Sequence, residues 1–146
     1  MMKQTRNKKP YTTLEQSKLL SGVLSDESAD NYWSLVDADS KRWEIKNYPY
    51  SRVKVPKFSY NKISDVIIPC WSIVPLMNSL KPEIKLENGQ TIFLHFNKDI
   101  SNEGIEIYVI RYTNSWTGEV IKTEPYEDFI NSLVEIILKL HEKNLI

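Results

Sequence analysis

The chain has 146 residues, 41% hydrophobic and 26% charged, and its 19 basic and 19 acidic side chains cancel to a formal net charge of zero. That is one domain of ordinary globular composition, which excludes collagen-like, low-complexity and wholly disordered chains. A chain of this size buries about two thirds of its unfolded surface, so neither a metal nor a disulfide is needed for folding.

Lys3, Arg6, Lys8 and Lys9 make residues 1–11 a basic, flexible tail, and residues 12–146 read as a single domain. No apolar run follows the basic start, so it is not a secretory signal. Thr13 and Gln16 fit a capping box at the start of a first short helix, with Thr12 and Glu15 as the alternative one residue earlier. Gly22 is expected to end it in a left-handed conformation. Ser25, followed by Asp26 and Glu27, predicts a second short helix on which Ala29, Tyr32 and Trp33 share a face. Residues 41–45 and 50–55 are weak strand candidates, and Pro49 and Pro56, which bound them, favour edge or loop positions over a central strand.

Ser72 predicts the N-cap of a central helix, with Pro75 in its first turn and Trp71 and Leu76 as a hydrophobic staple. Asn88-Gly89 marks a tight hairpin between 85–87 and 91–93. Residues 105–112 are apolar or aromatic at almost every position, as in a central strand, and residues 119–123 follow as the fourth strand. Pro125 opens a long final helix whose Tyr126, Phe129, Ile130, Leu133, Ile136, Ile137 and Leu140 recur at three- and four-residue steps. The expected fold is α+β: an antiparallel meander of about four strands packed by a long C-terminal helix, with short N-terminal and central helices.

The stretches 13–20, 28–32 (Ser-Ala-Asp-Asn-Tyr), 69–72 (Pro-Cys-Trp-Ser) and 138–142 (Leu-Lys-Leu-His-Glu) together resemble a family of small proteins from phages and mobile elements of gut bacteria. The resemblance runs in order along nearly the whole chain. It implies a stand-alone accessory protein and brings no activity with it.

Cys70 is the single cysteine, so no internal disulfide forms, and the chain reads as cytoplasmic. Its place just before a helix start makes it the one candidate nucleophile, with His95 or His141 as base. The alternative is a buried small hydrophobe. The histidines and Cys70 lack ligand-pair spacing, so no metal or other cofactor is expected, and no segment is apolar enough to span a membrane.

Charge is balanced in sum but not in place. Residues 26–39 carry Asp26, Glu27, Asp30, Asp37 and Asp39 and no base. Residues 41–62 carry Lys41, Arg42, Lys46, Arg52, Lys54, Lys57 and Lys62 against Glu44 alone, interleaved with Trp43, Tyr48, Tyr50, Phe58 and Tyr60. Cations holding phosphates beside aromatics that stack on bases would suit single-stranded nucleic acid, with Lys41, Arg42, Trp43, Arg52, Lys54 and Tyr60 as contacts. The alternative is a strand and loop with inward aromatics and solvated lysines. Trp116 falls in a turn, either as the anchor of a protein interface or folded back over the core. A non-enzymatic protein-binding factor is the first expectation, nucleic-acid binding the second and a Cys70 enzyme the third.

Overall fold

In a computed structural model, residues 10–53 and 66–146 are described. They form α1 (Leu14–Leu20), β1 (Asn31–Asp37), β2 (Arg42–Lys46), β3 (Ile67–Cys70), α2 (Ile73–Asn78), β4 (Glu83–Lys85), β5 (Thr91–Ile100), β6 (Glu106–Asn114), β7 (Gly118–Lys122) and α3 (Phe129–Glu142). The fold is α+β, with one antiparallel sheet in the order β2-β1-β3 and a second in the order β4-β5-β6-β7.

The second sheet is the expected meander under the expected helix. Short hairpin connections place strands beside their sequence neighbours. At the first of them Gly89 takes a φ of 85°, and its N–H donates to the Leu86 carbonyl. Side chains alternate across a strand, so one face of the sheet presents Ile84, Ile92, Ile110, Tyr112 and Ile121 to α3. From α3 come Ile130, Leu133, Val134, Ile136, Ile137 and Leu140, all buried. Leu20 of α1, Leu76 of α2 and Trp71 belong to the same core, so α3 is covered on both sides.

α3 begins at Phe129, not at Pro125. The Tyr126 backbone exchanges hydrogen bonds with Tyr108 at 2.7 and 3.0 Å, which keeps the chain extended as far as the sheet edge. Asp128 then caps the helix, its carboxylate accepting from the Ile130 N–H at 3.0 Å. Glu135 and Lys139, the expected i,i+4 pair, lie 3.8 Å apart. Each also reaches the sheet: Glu135 accepts the Glu124 N–H at 2.8 Å and Lys139 donates to the Lys122 carbonyl at 2.7 Å.

The first sheet departs most from expectation. The predicted second helix is a single 3-10 turn, Asp26–Ser28, and Tyr32 and Trp33 lie in strand β1. Alternation along Tyr32, Trp33, Ser34 and Leu35 puts Trp33 and Leu35 on one face, and pairing on both sides with β2 and β3 outweighs a weak helical pattern. Residues 50–52 form another 3-10 turn, the loop rather than the edge strand of the two positions expected there, closed by the Val53 N–H donating to the Tyr50 carbonyl. Gly22 is not left-handed; α1 ends instead in turns from Val23 and Leu24 N–H to the Leu20 carbonyl. Thr13, not Thr12, is the cap, and the reciprocal Thr13–Gln16 bonds are both present.

Thr12 has another task. Its backbone N–H donates to the Trp71 carbonyl at 2.9 Å, and its hydroxyl accepts the Trp71 N–H at 3.2 Å. The same hydroxyl shares a 2.7 Å bond with Ser17. Residues 11 and 12 thereby lie along the free edge of β3, bridging Tyr11 to Ser72. Ser72 is the N-cap residue of α2 in position, but its hydroxyl donates to the Asp30 carboxylate rather than capping the helix. Asp30 also accepts the Ser72 N–H at 2.9 Å, tying the start of β1 to the start of α2.

Candidate functional site

Cys70 is fully buried, and burial pushes its thiol pKa up. The sulfur lies 3.4 Å from both the hydroxyl and the carbonyl oxygen of Thr12. A thiol held protonated inside a hydrogen-bonded seam is a poor nucleophile. Its surroundings match a buried small hydrophobe. Among the described residues, no three His, Cys, Asp or Glu side chains are grouped to hold a metal ion.

Of the basic, aromatic segment, Lys41, Arg42, Trp43 and Arg52 lie among the described residues, whereas Lys54 and Tyr60 lie outside them. Lys41 closes the β1–β2 hairpin at φ 53°. Arg42 starts β2 opposite Asp37, and its guanidinium is 3.8 Å from Glu44. Lys46 is 3.3 Å from the same carboxylate. Alternation places Arg42, Glu44 and Lys46 on one face of the strand and Trp43 on the other, paired with Leu35. Arg52 stands apart, exposed, in the 3-10 turn after Pro49. The described cations and the tryptophan are therefore not gathered on one surface.

The acidic stretch meets the basic one at the β1–β2 hairpin. Asp37 occupies the hairpin turn, where hydrogen bonds from the Ser40 side chain, the Ser40 N–H and the Asp39 N–H hold its carboxyl below the usual range. Asp26 lies near Tyr50, whose N–H donates to the Ala29 carbonyl at 3.2 Å. Partial burial raises the Asp26 pKa. Hairpin register thus sets Asp37 opposite Arg42.

A shallow concavity of about 540 Å3 lies between α1 and α3, lined by Gln16, Tyr126, Asn131, Glu135, Lys139 and His141. Most of its polar groups bind one another or the backbone: Gln16 donates to Asn131 at 2.6 Å, and Glu135 and Lys139 serve the strand edge as above. These contacts hold α3 in place.

Trp116 is different. It sits at the tip of the β6–β7 hairpin and is 93% exposed. The turn beneath it is built by Asn114, which is buried. The Asn114 side-chain oxygen accepts the N–H groups of Trp116 at 2.8 Å and Thr117 at 3.2 Å. Its amide nitrogen donates to the Thr91 carbonyl at 3.1 Å, anchoring the turn to β5. Gly118 completes the turn at φ 86°. The backbone under the indole is thus fixed by side-chain hydrogen bonds while the ring lies in water. The sequence places Trp116 in a turn running from Asn114 to Gly118, and an Asn two residues ahead of a turn position is the signal for the side-chain bonds that close it.

A second exposed apolar group lies along β5, where Phe96 is 43% and Ile100 is 64% exposed. The sequence reading stopped this strand at Phe93, although Ile92, Leu94, Phe96 and Ile100 keep the two-residue period of a longer one. Among the described residues, no helix is long and apolar enough to cross a membrane. No family model, curated protein or solved structure matches this chain.

Proposed function

We propose that the chain is a non-enzymatic, protein-binding accessory factor, in keeping with its resemblance to proteins of phages and mobile elements. The observation that carries this reading is Trp116, exposed on a turn whose backbone Asn114 holds in place. A tryptophan presented this way brings a large apolar area to an interface at little conformational cost, and such residues dominate binding energy where they occur. The alternative, single-stranded nucleic acid bound along 41–62, is less well supported, because Glu44 engages Arg42 and Lys46 and Trp43 faces the opposite side of β2.

The test is paired affinity capture with the full chain and with Trp116→Ala as baits. The expected result is a stoichiometric protein partner on the first bait that the second loses, with both baits equally stable. Identical profiles from the two baits overturn the proposal.

A further inference from the structure

Independently of Trp116, we infer that the free edge of β5, from Phe96 to Ile100, receives an extended segment of a partner polypeptide as an added strand. The pairing of β5 is lopsided. On one side it pairs with β6 from Phe93 to Ile100, whereas on the other β4 covers only Thr91 to Phe93. Pro82 ends that cover: its carbonyl accepts the Leu94 N–H at 2.9 Å, and proline cannot donate to carry the ladder further.

Direction follows from that bond. In an antiparallel ladder a residue's N–H and C=O point to the same side and alternate along the strand. Leu94 points toward β4, while the Ser101 N–H points toward β6, donating to Ile105 at 2.8 Å. Phe96, Lys98 and Ile100 therefore direct their backbone groups to the edge that, among the described residues, β4 leaves uncovered. The Ile100 N–H is taken by the Asp99 carboxylate at 2.8 Å. The N–H and C=O groups of Phe96 and Lys98 have no bond to any described residue outside that ladder.

The side chains on this edge say what kind of strand fits. Phe96, Lys98 and Ile100 project from the α3 face of β5, and all three are exposed. Phe96 packs edge-on against Phe129 with ring centroids 5.8 Å apart, which fixes one wall of the row. Lysine in an edge strand ordinarily discourages added strands. Here its ammonium leans toward β6, 3.0 Å from Glu106, which leaves the backbone edge accessible, while the side chain stays 57% exposed and keeps its charge for an incoming carboxylate. An incoming strand meets apolar, cationic and apolar positions in turn, so its matching residues are apolar, acidic and apolar at every second position. Pairing with a second copy of the chain, centred on this row, would set Lys98 against Lys98, an unfavourable like-charge pair.

The experiment is selection of random displayed peptides on the full chain, followed by amide exchange with an enriched peptide. Expected are peptides reading apolar-x-acidic-x-apolar, with slowed exchange at the Phe96 and Lys98 N–H groups. Lys98→Pro removes the central edge donor and leaves the backbone ladder to β6 in place, although the Glu106 contact goes with the side chain, and it should weaken binding about tenfold or more, the loss expected when strand hydrogen bonds are not made. Lys98→Glu should shift the preferred central residue from acidic to basic, which tests the edge even if the proline variant fails to fold. Trp116→Ala should leave this binding intact, so failure here and failure of the tryptophan anchor are separable. Enriched peptides without the alternation, protection elsewhere, binding unaffected by either Lys98 variant, loss on Trp116→Ala, or protection that rises with protein concentration alone would each overturn the proposal.

Discussion

The β1–β2 and β6–β7 hairpins carry the two features that the sequence singled out, and folding treats them in opposite ways. β1–β2 takes a conspicuous charge asymmetry and folds its two halves into one hairpin: antiparallel register sets Asp37 opposite Arg42, and within the basic segment Glu44 lies within 4 Å of both Arg42 and Lys46. β6–β7 takes one aromatic residue and displays it, because Asn114 closes the turn from within and leaves the indole nothing to fold onto. Charge segregation along a chain is a weak guide to surface potential when the segments are hairpin neighbours. An aromatic in a turn is a better guide once the turn has an internal hydrogen-bonding residue.

The hairpins also differ in what backs them. Ile110, Tyr112 and Ile121 of β6–β7 are buried in the main core, whereas β2 contributes no fully buried residue. Ile110→Ala should therefore cost about 2–5 kcal/mol in urea unfolding, by lost transfer energy and a cavity. A loss below 1 kcal/mol would remove the distinction between the hairpins. Asn114→Ala should cost about 1–3 kcal/mol, since it strips acceptors from two turn N–H groups and a donor from the Thr91 carbonyl. It should also broaden the Trp116 backbone resonances.

Tyr112 gives the same region a pH signature. Burial pushes its pKa up to about 12, while its hydroxyl donates to the Lys81 carbonyl at 2.8 Å. The folded state thus holds this proton more tightly than the unfolded one, whose tyrosines titrate near 10. The resulting stability is complete below about pH 10 and is lost as pH rises toward 12. Unfolding followed across that range should show a fall that Tyr112→Phe flattens. An equal fall in both proteins would assign the effect to other groups.

The smallest effect belongs to the charged hairpin. Arg42→Ala removes only an exposed contact with Glu44, so stability should stay within about 0.5 kcal/mol. Binding of short single strands at low salt, followed by anisotropy, should be equally flat for both proteins. A rising, salt-sensitive titration lost on Arg42→Ala would restore the basic segment as a binding surface.

The four-stranded sheet and α3 were legible because their signals are local: Asn88-Gly89 sets one turn, and the three- and four-residue recurrence from Phe129 to Leu140 sets the helix face. The first sheet was not. β1 has the spacing of a short helix at Ala29, Tyr32 and Trp33, and only its partners on both sides make it a strand. β3, with Pro69 inside it, is not among the strands expected from the sequence; it sits at the sheet edge where residues 11 and 12 cover it. Cys70 drew attention for the helix start beside it, but α1 packs across β3 and closes the thiol off from water. The open part of β5 was invisible because it depends on where β4 stops.

Glu135 and Lys139 add a constraint on assembly. Their side chains occupy the Glu124 N–H and the Lys122 carbonyl, so where the chain leaves β7 the helix stands in for a neighbouring strand. A strand arriving there finds those backbone groups already engaged. Strand addition is thus opposed where β7 ends, whereas the open stretch of β5 lies toward the opposite side of the sheet.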